Sequence, residues 1–384
     1  MKKIAVVTAT RAEYGLLSPV IKELRAKESS YLKIELIVTG THLYQSYGMT
    51  INEIDDRIDH EIMIPVNSDS EIDISSNQAK TLTAFTDLFY AEKYDAVVLL
   101  GDRYETLAIA IAAGNTRTPI FHLCGGDTTE GAIDEWIRHS ITKMSYLHFV
   151  TNEESKKRVI QLGENPSRVF NFGSTSIDNT LRIADMTKSE ALKSIGLNNE
   201  CKYALCTYHP VTMESNSVDK QIYEFLKAIE SLDYIEFVVT KSNADQGGAK
   251  INKLLDDAAE RISNLHVYTS LGVRRYLSLM KYAEFVLGNS SSGIIETPAF
   301  RVPTINIGDR QKGRLQSDNI INCGIESEQI IDAINIALSQ EHRNKCKTVI
   351  GPYGDGNASK QIADKTVQVV LDGRIDLKKK FYDL

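Results

Sequence analysis

Phe285-Val286-Leu287-Gly288-Asn289-Ser290-Ser291-Ser292-Gly293-Ile294-Ile295-Glu296 decides how the rest of the chain is read. Three apolar residues make a short strand, a Gly/Ser turn follows, and a helix is expected to open near Gly293. A buried strand running through a tight turn into a helix is the repeating unit of a parallel α/β sheet. The same turn aims backbone N–H groups and the hydroxyls of Ser290, Ser291 and Ser292 at one point, where a helix start favours negative charge. Glu296 stands about one helical turn further on, placed to reach back toward a sugar diol. A nucleoside diphosphate fits such a loop.

The strand–turn–helix pattern repeats on both sides of that stretch. Short apolar runs at Ile4–Thr8, Glu35–Thr39, Ala96–Leu100, Pro119–Leu123, Leu147–Val150 and Val169–Phe172 alternate with amphipathic segments. Leu17, Val20, Ile21 and Leu24 recur at helical spacing, as do Ile133, Ile137, Ile141 and Met144. A second series runs through Tyr203–Thr207, Ile235–Val239, Leu265–Tyr268, Phe285–Gly288 and Pro303–Ile307. Such alternation predicts parallel sheets with helices on both faces. The polar stretch Ser174–Asn199 has a helix-like middle and no strand, and it is read as the connection. The expected architecture is α/β, with two Rossmann-like doubly wound domains facing each other across a cleft. One covers residues 1–180, the other 181–363, and a last helix within 364–384 rejoins the first.

Composition limits what such a protein does. A chain of 384 residues is too long for one ordinary core. At 42% hydrophobic and 25% charged residues it reads as soluble and globular. A net charge of −7 argues against a large nucleic-acid surface and leaves room for a small anionic ligand held by local donors. No apolar run approaches the roughly 20 residues that cross a bilayer, so no membrane segment is expected. Arg11 and Glu13 interrupt the run after Met1-Lys2-Lys3 too early for a signal peptide. Cys124, Cys201, Cys206, Cys323 and Cys346 are odd in number and lack paired or zinc spacing, which points to the cytoplasm and to no metal.

In doubly wound folds ligands sit at the C-terminal ends of the strands, and the chemistry-bearing residues of this chain gather there. Thr8-Ala9-Thr10-Arg11-Ala12-Glu13 lacks a dinucleotide fingerprint, but Arg11 is able to clamp a phosphate; an ordinary surface arginine is the competing reading. Gly101-Asp102-Arg103-Tyr104-Glu105 offers a carboxylate and a guanidinium for proton transfer and positioning, or else Asp102 caps the next helix. His122-Leu123-Cys124-Gly125-Gly126-Asp127 and Gly131-Ala132-Ile133-Asp134-Glu135 bring two more carboxylates, which can divide the roles of acid and base. Asp134 alternatively serves the helix dipole, Arg138 and His139 are open to a structural reading, and Cys124 reads as a small buried residue rather than a nucleophile. Tyr208-His209-Pro210 holds a histidine extended at a strand tip, able to donate to a phosphate or act as an acid. Ser242-Asn243-Ala244-Asp245 and Gly308-Asp309-Arg310-Gln311 end two further strands.

Thr10-Arg11-Ala12-Glu13-Tyr14-Gly15, Gly101-Asp102-Arg103-Tyr104-Glu105, Arg138-His139-Ser140-Ile141-Thr142-Lys143, Gly288-Asn289-Ser290-Ser291-Ser292-Gly293 and Ile307-Gly308-Asp309-Arg310-Gln311-Lys312-Gly313-Arg314 together resemble the hydrolysing UDP-N-acetylglucosamine 2-epimerases. The resemblance runs in order from about Lys3 to about Ala363. It implies a glycosyltransferase-B-type pair of domains, with UDP bound mainly by the second. Carried over, Ser290, Ser291, Ser292 and Gly293 belong to the diphosphate loop and Glu296 holds the ribose hydroxyls. Arg11, Arg103, His209 and Arg310 become ligand contacts, Asn243 lines the site, and the backbone near Leu271 reads the uracil edge. Asp102, Asp127, Asp134 and His209 become the candidates for proton transfer.

The implied reaction gives N-acetylmannosamine and UDP through a 2-acetamidoglucal, for bacterial sialic-acid synthesis. It calls for no cofactor and no metal. Relatives of the family imply a homodimer or homotetramer. One departure bears on the substrate. Where the family usually reads His-x-His-Gly-Gly-Glu, this chain has His122-Leu123-Cys124-Gly125-Gly126-Asp127. The carboxylate is one methylene shorter, a difference on the order of 1 Å that matters in a catalytic constellation. UDP-N,N'-diacetylbacillosamine is therefore an alternative substrate. A UDP-sugar glycosyltransferase and a non-catalytic nucleotide-sugar sensor are the alternative classes.

Overall fold

Successive residues of the inner strands are apolar on both faces, and this alone forces helices onto both sides of each sheet. In the first strand, Ile4 and Val6 enter one core while Ala5 and Val7 enter another. Ala204 and Cys206 are separated in the same way from Tyr203 and Leu205. The structure, a computed structural model, describes residues 1–47, 49–65, 71–128, 133–209, 218–241 and 248–384.

The chain divides into two compact units, Met1–Asn179 with Gly356–Leu384, and Thr180–Asp355. The first holds β1 (Lys2–Thr8), β2 (Leu32–Thr39), β3 (His60–Ile62), β4 (Ala96–Leu100), β5 (Ile120–Leu123), β6 (Leu147–Val150) and β7 (Val169–Asn171). They form a parallel sheet in the order β3-β2-β1-β4-β5-β6-β7. The second holds β8 (Tyr203–Thr207), β9 (Glu236–Thr240), β10 (Leu265–Tyr268), β11 (Phe285–Gly288), β12 (Thr304–Ile307) and β13 (Ile320–Cys323), ordered β10-β9-β8-β11-β12-β13 and again parallel. Both units are doubly wound, as expected. Strand order reverses between β1 and β4, and between β8 and β11, so each unit has a switch point where such folds bind ligands.

Two edge strands had no expectation attached to them. β3 is three residues long and half-buried, and β13 is flanked by turn residues, so neither carries the buried run that marked the inner strands. The expected connection is helical, Thr175–Ile183 and Lys188–Lys193, and the chain passes from one unit to the other after Asn179. It returns at Gly356, and the helix Ala358–Asp372 packs on the first helix, Arg11–Arg25. No helix among the described residues is long and apolar enough to cross a membrane.

Candidate functional site

In the first unit one guanidinium ties the Asp102 carboxylate to the Asp127 turn. Arg138, on the helix Asp134–Met144, is only 5% exposed at its side chain. Its Nε donates to Asp102 Oδ2 at 2.7 Å, with Nη2 on the same oxygen, and its Nη1 donates to the Asp127 carbonyl at 2.7 Å. Glu135 Oε2 lies 3.3 Å from Nη1. A buried arginine satisfied by this fork fixes the β4 and β5 turns relative to each other. Asp102 is thus an ion-pair partner and caps nothing: Arg103 occupies the N-cap position of Tyr104–Asn115, without a side-chain capping bond. The Asp127 carboxylate accepts from Thr151 Oγ1 at 2.9 Å and Ser155 Oγ at 2.5 Å, which hold Oδ1 in place. Asp134 stands in the first turn of its helix, and His139 lies 3.1 Å from Glu135. Residues 129–132, with Gly131 and Ala132, lie outside the described residues.

The β5 turn explains its own composition. Cys124 has φ +63°, a left-handed conformation that costs a non-glycine residue about 1–3 kcal/mol. A Cβ on Gly126 would lie 2.3 Å from the Ser155 carbonyl, so the helix Glu153–Gln161 is packed directly on that backbone. Burial, with the Asp127 and Asp102 charges adding to it, pushes the Cys124 thiol well above its ordinary pKa, which makes it a poor nucleophile at neutral pH. His122 Nε2 donates to the Gly101 carbonyl at 2.9 Å, which leaves Nδ1 to accept from Thr142 Oγ1 at 3.4 Å; burial depresses its pKa to about 3, so it is a neutral strut under the Asp102 turn. Arg11 is exposed and paired with Glu53 at 2.8 Å.

In the second unit the serine turn sits where β8 and β11 part. Gly288 has φ +142°, and a Cβ there would fall 2.0 Å from the Thr207 carbonyl, so only glycine lets the two strands run side by side into their turns. The helix begins at Ser291, two residues before the expected start, with Ser290 as its N-cap accepting from Ser292 N. It spans only Ser291–Ile295. Gly293 is buried within it, where a Cβ would meet Thr304 at 3.2 Å, so sheet packing accounts for this glycine. Glu296 accepts a short hydrogen bond from Ser292 Oγ, and burial raises its pKa.

Asn289 escaped the sequence reading, which saw it only as a turn residue. Buried at the turn, it accepts from His209 N at 2.7 Å and donates to His209 O at 2.8 Å. Its own carbonyl accepts from Arg310 Nη1 at 3.0 Å and from Gln311 Nε2 at 2.9 Å. One residue, through its side chain and its main-chain carbonyl, therefore ties together three strand-end loops. Beside it opens a cavity of about 310 Å³, lined by His209, Leu271, Ser290 and Ser292, and also by Thr207, Thr240 and Tyr276. That volume falls in the range of small-molecule sites. Thr207 Oγ1 lies 2.7 Å from Thr240 Oγ1 and 3.3 Å from Tyr276 OH, lining one wall with hydroxyls. The Leu271 carbonyl accepts from Arg275 Nε at 2.7 Å, which fixes the peptide edge at the mouth of Gly272–Tyr282. Pro210 and Asn243 lie outside the described residues.

One further polar group had no sequence signal, because it is assembled from separate elements. Glu35, His60 and Glu92 bring three ligand-type atoms within 4.8 Å of one another. Lys33 already pairs with Glu35, and Lys3 with Glu92, each at 2.6 Å. Ammonium groups therefore supply the positive charge that these carboxylates need.

A family model described as UDP-N-acetylglucosamine 2-epimerase matches residues 23–366. A GDP/UDP-N,N'-diacetylbacillosamine 2-epimerase (hydrolyzing) of Campylobacter jejuni is 42% identical, over 84% of this chain and 85% of its own length. The polysialic acid biosynthesis protein P7 of Escherichia coli is 38% identical, over 100% of this chain and 98% of its own. Among solved structures, UDP-GlcNAc 2-epimerase from Neisseria meningitidis bound to UDP-GlcNAc superposes with a TM-score of 0.80 at 21% identity, over 96% of this chain and 100% of that one.

Proposed function

The chain belongs to the UDP-N-acetylglucosamine 2-epimerase family, and from that membership we propose that it is a hydrolysing 2-epimerase of a UDP-linked 2-acetamido sugar. The observation that carries the reading is the buried Arg138 holding Asp102 and the Asp127 turn together at two strand ends. A C2 proton beside an acetamido group is weakly acidic, so its removal needs a positioned carboxylate and a leaving group that departs easily. The hydroxyl-lined cavity of the second unit supports a UDP site.

In this reading a carboxylate among Asp102, Asp127 and Asp134 takes the C2 proton while the C1–O bond breaks. The bonding pair leaves on the UDP β-phosphate oxygen, and C1=C2 forms. His209, Ser290, Ser292 and Arg310 stabilise the charge that grows on that oxygen, since donors fixed in advance need no reorganisation. Arg11 and Arg103 provide further cations for the ligand. Water then adds its hydroxyl to C1, and a proton reaches C2 on the opposite face. The products are UDP and the free 2-epimer. With UDP-N-acetylglucosamine the sugar is N-acetylmannosamine. UDP-N,N'-diacetylbacillosamine is the second substrate reading, supported by the name of the Campylobacter jejuni relative and by Cys124 and Asp127 in the β5 turn. A cytoplasmic, homo-oligomeric enzyme without a metal or nicotinamide cofactor completes the proposal.

Incubation of the purified protein with each nucleotide sugar and no acceptor tests the assignment. Stoichiometric UDP and a free sugar inverted at C2 are expected, and the ratio of the two rates names the preferred substrate. UDP release that requires an added acceptor would make the protein a glycosyltransferase; binding without turnover would make it a sensor.

A further inference from the structure

Asn289 follows the last residue of β11 and is 1% exposed. It takes no part in lining the cavity of about 310 Å³ beside it, whose wall includes His209, Ser290 and Ser292. A carboxamide buried this deeply must pair its groups, because it has given up their hydration. Both its ends go to a single residue 80 positions away. Its Oδ1 accepts from His209 N at 2.7 Å, and its Nδ2 donates to His209 O at 2.8 Å. The two bonds close a ring like that of a hydrogen-bonded pair in antiparallel strands, with a side chain standing in for one backbone. The main chain of Asn289 is itself anchored on both sides. Its N–H donates to the Thr207 carbonyl at 3.2 Å, which carries the β8–β11 pairing one residue past Gly288. Its carbonyl accepts from Arg310 Nη1 and Gln311 Nε2.

We infer that Asn289 is a positioning residue: its carboxamide clamps the His209 main chain and so aims the imidazole at the phosphates of a nucleoside diphosphate. The inference rests on the UDP site proposed above. Pinning the N–H and C=O of one residue fixes the peptide planes on both sides of its Cα, and with them the direction of the Cα–Cβ bond. The imidazole then keeps only its own two torsions, and the burial of His209 narrows those. A donor held in this way meets a growing phosphate charge without reorganising. The turn alone does not ask for asparagine. Ser290 caps the following helix, and Gly288 allows the close approach of the strands. What a carboxamide adds is an acceptor and a donor side by side on one short stem. An ionised aspartate keeps the acceptor and has no proton for the His209 carbonyl; alanine loses both.

A double-mutant cycle isolates the effect, because every substitution at position 289 keeps the main-chain carbonyl that holds Arg310 and Gln311. Asn289→Ala and His209→Ala are each expected to weaken UDP binding by on the order of tenfold in titration calorimetry. Together they should weaken it by no more than about twofold beyond His209→Ala alone. A side chain that merely stabilises the fold would instead give losses that multiply, to about a hundredfold in the double variant. On UDP-N-acetylglucosamine, kcat should fall about a hundredfold in Asn289→Ala, and the double variant should again match His209→Ala. Asn289→Asp keeps the size and one bond of the clamp, and it serves if the alanine variant does not fold. Its UDP affinity relative to the wild type should be low at about pH 8 and recover at about pH 5, where a protonated carboxyl both accepts and donates. The calorimetric arms do not depend on the reaction, whereas the kcat arm does. Coupled UDP binding without turnover would uphold the clamp and sink the proposed elimination. Multiplying losses in UDP binding, or an Asn289→Asp deficit that pH leaves unchanged, would overturn the inference.

Discussion

Asp102→Asn is expected to lower turnover by about 10²–10⁴-fold, the usual worth of a positioned acid or base, while UDP affinity stays within about twofold. The asparagine keeps an oxygen for Arg138 and fits the same turn, so the geometry of the β4 end survives. What disappears is the ability to carry a proton, and with it the charge that balances a nearly buried guanidinium. Breaking a fully buried pair costs about 3–5 kcal/mol. Asp102 is a quarter exposed, so solvent screening reduces the stability loss to about 1–3 kcal/mol. Thermal unfolding measured beside kcat separates the two effects: a small fall in Tm with a large fall in kcat is the expected pair. Near-normal kcat in Asp102→Asn would remove this residue from proton transfer.

Gly288→Ala is expected to be the most damaging single methyl in the chain's second unit, costing more than about 4 kcal/mol. The added Cβ falls 2.0 Å from the Thr207 carbonyl, at a φ of +142° that side chains rarely adopt. The obstacle is backbone, and it belongs to the neighbouring strand, so relief means parting β8 from β11 at the point where both turns begin. Asn289 would lose its alignment with His209, and the hydroxyl wall at Thr207 would shift with it. Loss of UDP binding and early denaturant unfolding of Thr180–Asp355 are the expected readouts. Gly293→Ala is the internal control, because its Cβ would meet side-chain methyls, Thr304 Cγ2 at 3.2 Å and Val286 Cγ1 at 3.7 Å, and no neighbouring strand's backbone. Equal behaviour of the two variants would contradict the steric account.

The sequence carried the inner strands well, because a strand buried on both faces writes an uninterrupted apolar run such as Ala96–Leu100. It also located the turns at their ends, because a parallel fold leaves its polar residues little other place to converge. Two of the four edge strands were illegible: β3 and β13 hold no fully buried residue and leave no pattern, whereas β7 and β10 were read from their apolar runs. The cap reading of Asp102 failed for a related reason. Its real partner, Arg138, lies 36 residues away, and local rules see only the next helix. Asn289, Thr240 and Tyr276 were missed likewise, since what distinguishes them is contact across strands.

An elimination that passes through C2 exchanges the proton there with solvent, so the reaction run in D2O distinguishes it from direct hydrolysis. Each molecule of sugar released with UDP is predicted to carry one deuterium at C2 and the inverted configuration there, and mass and proton spectra read both together. UDP released alongside a sugar that retains its original C2 proton would contradict the account, because simple hydrolysis at C1 would then explain the turnover.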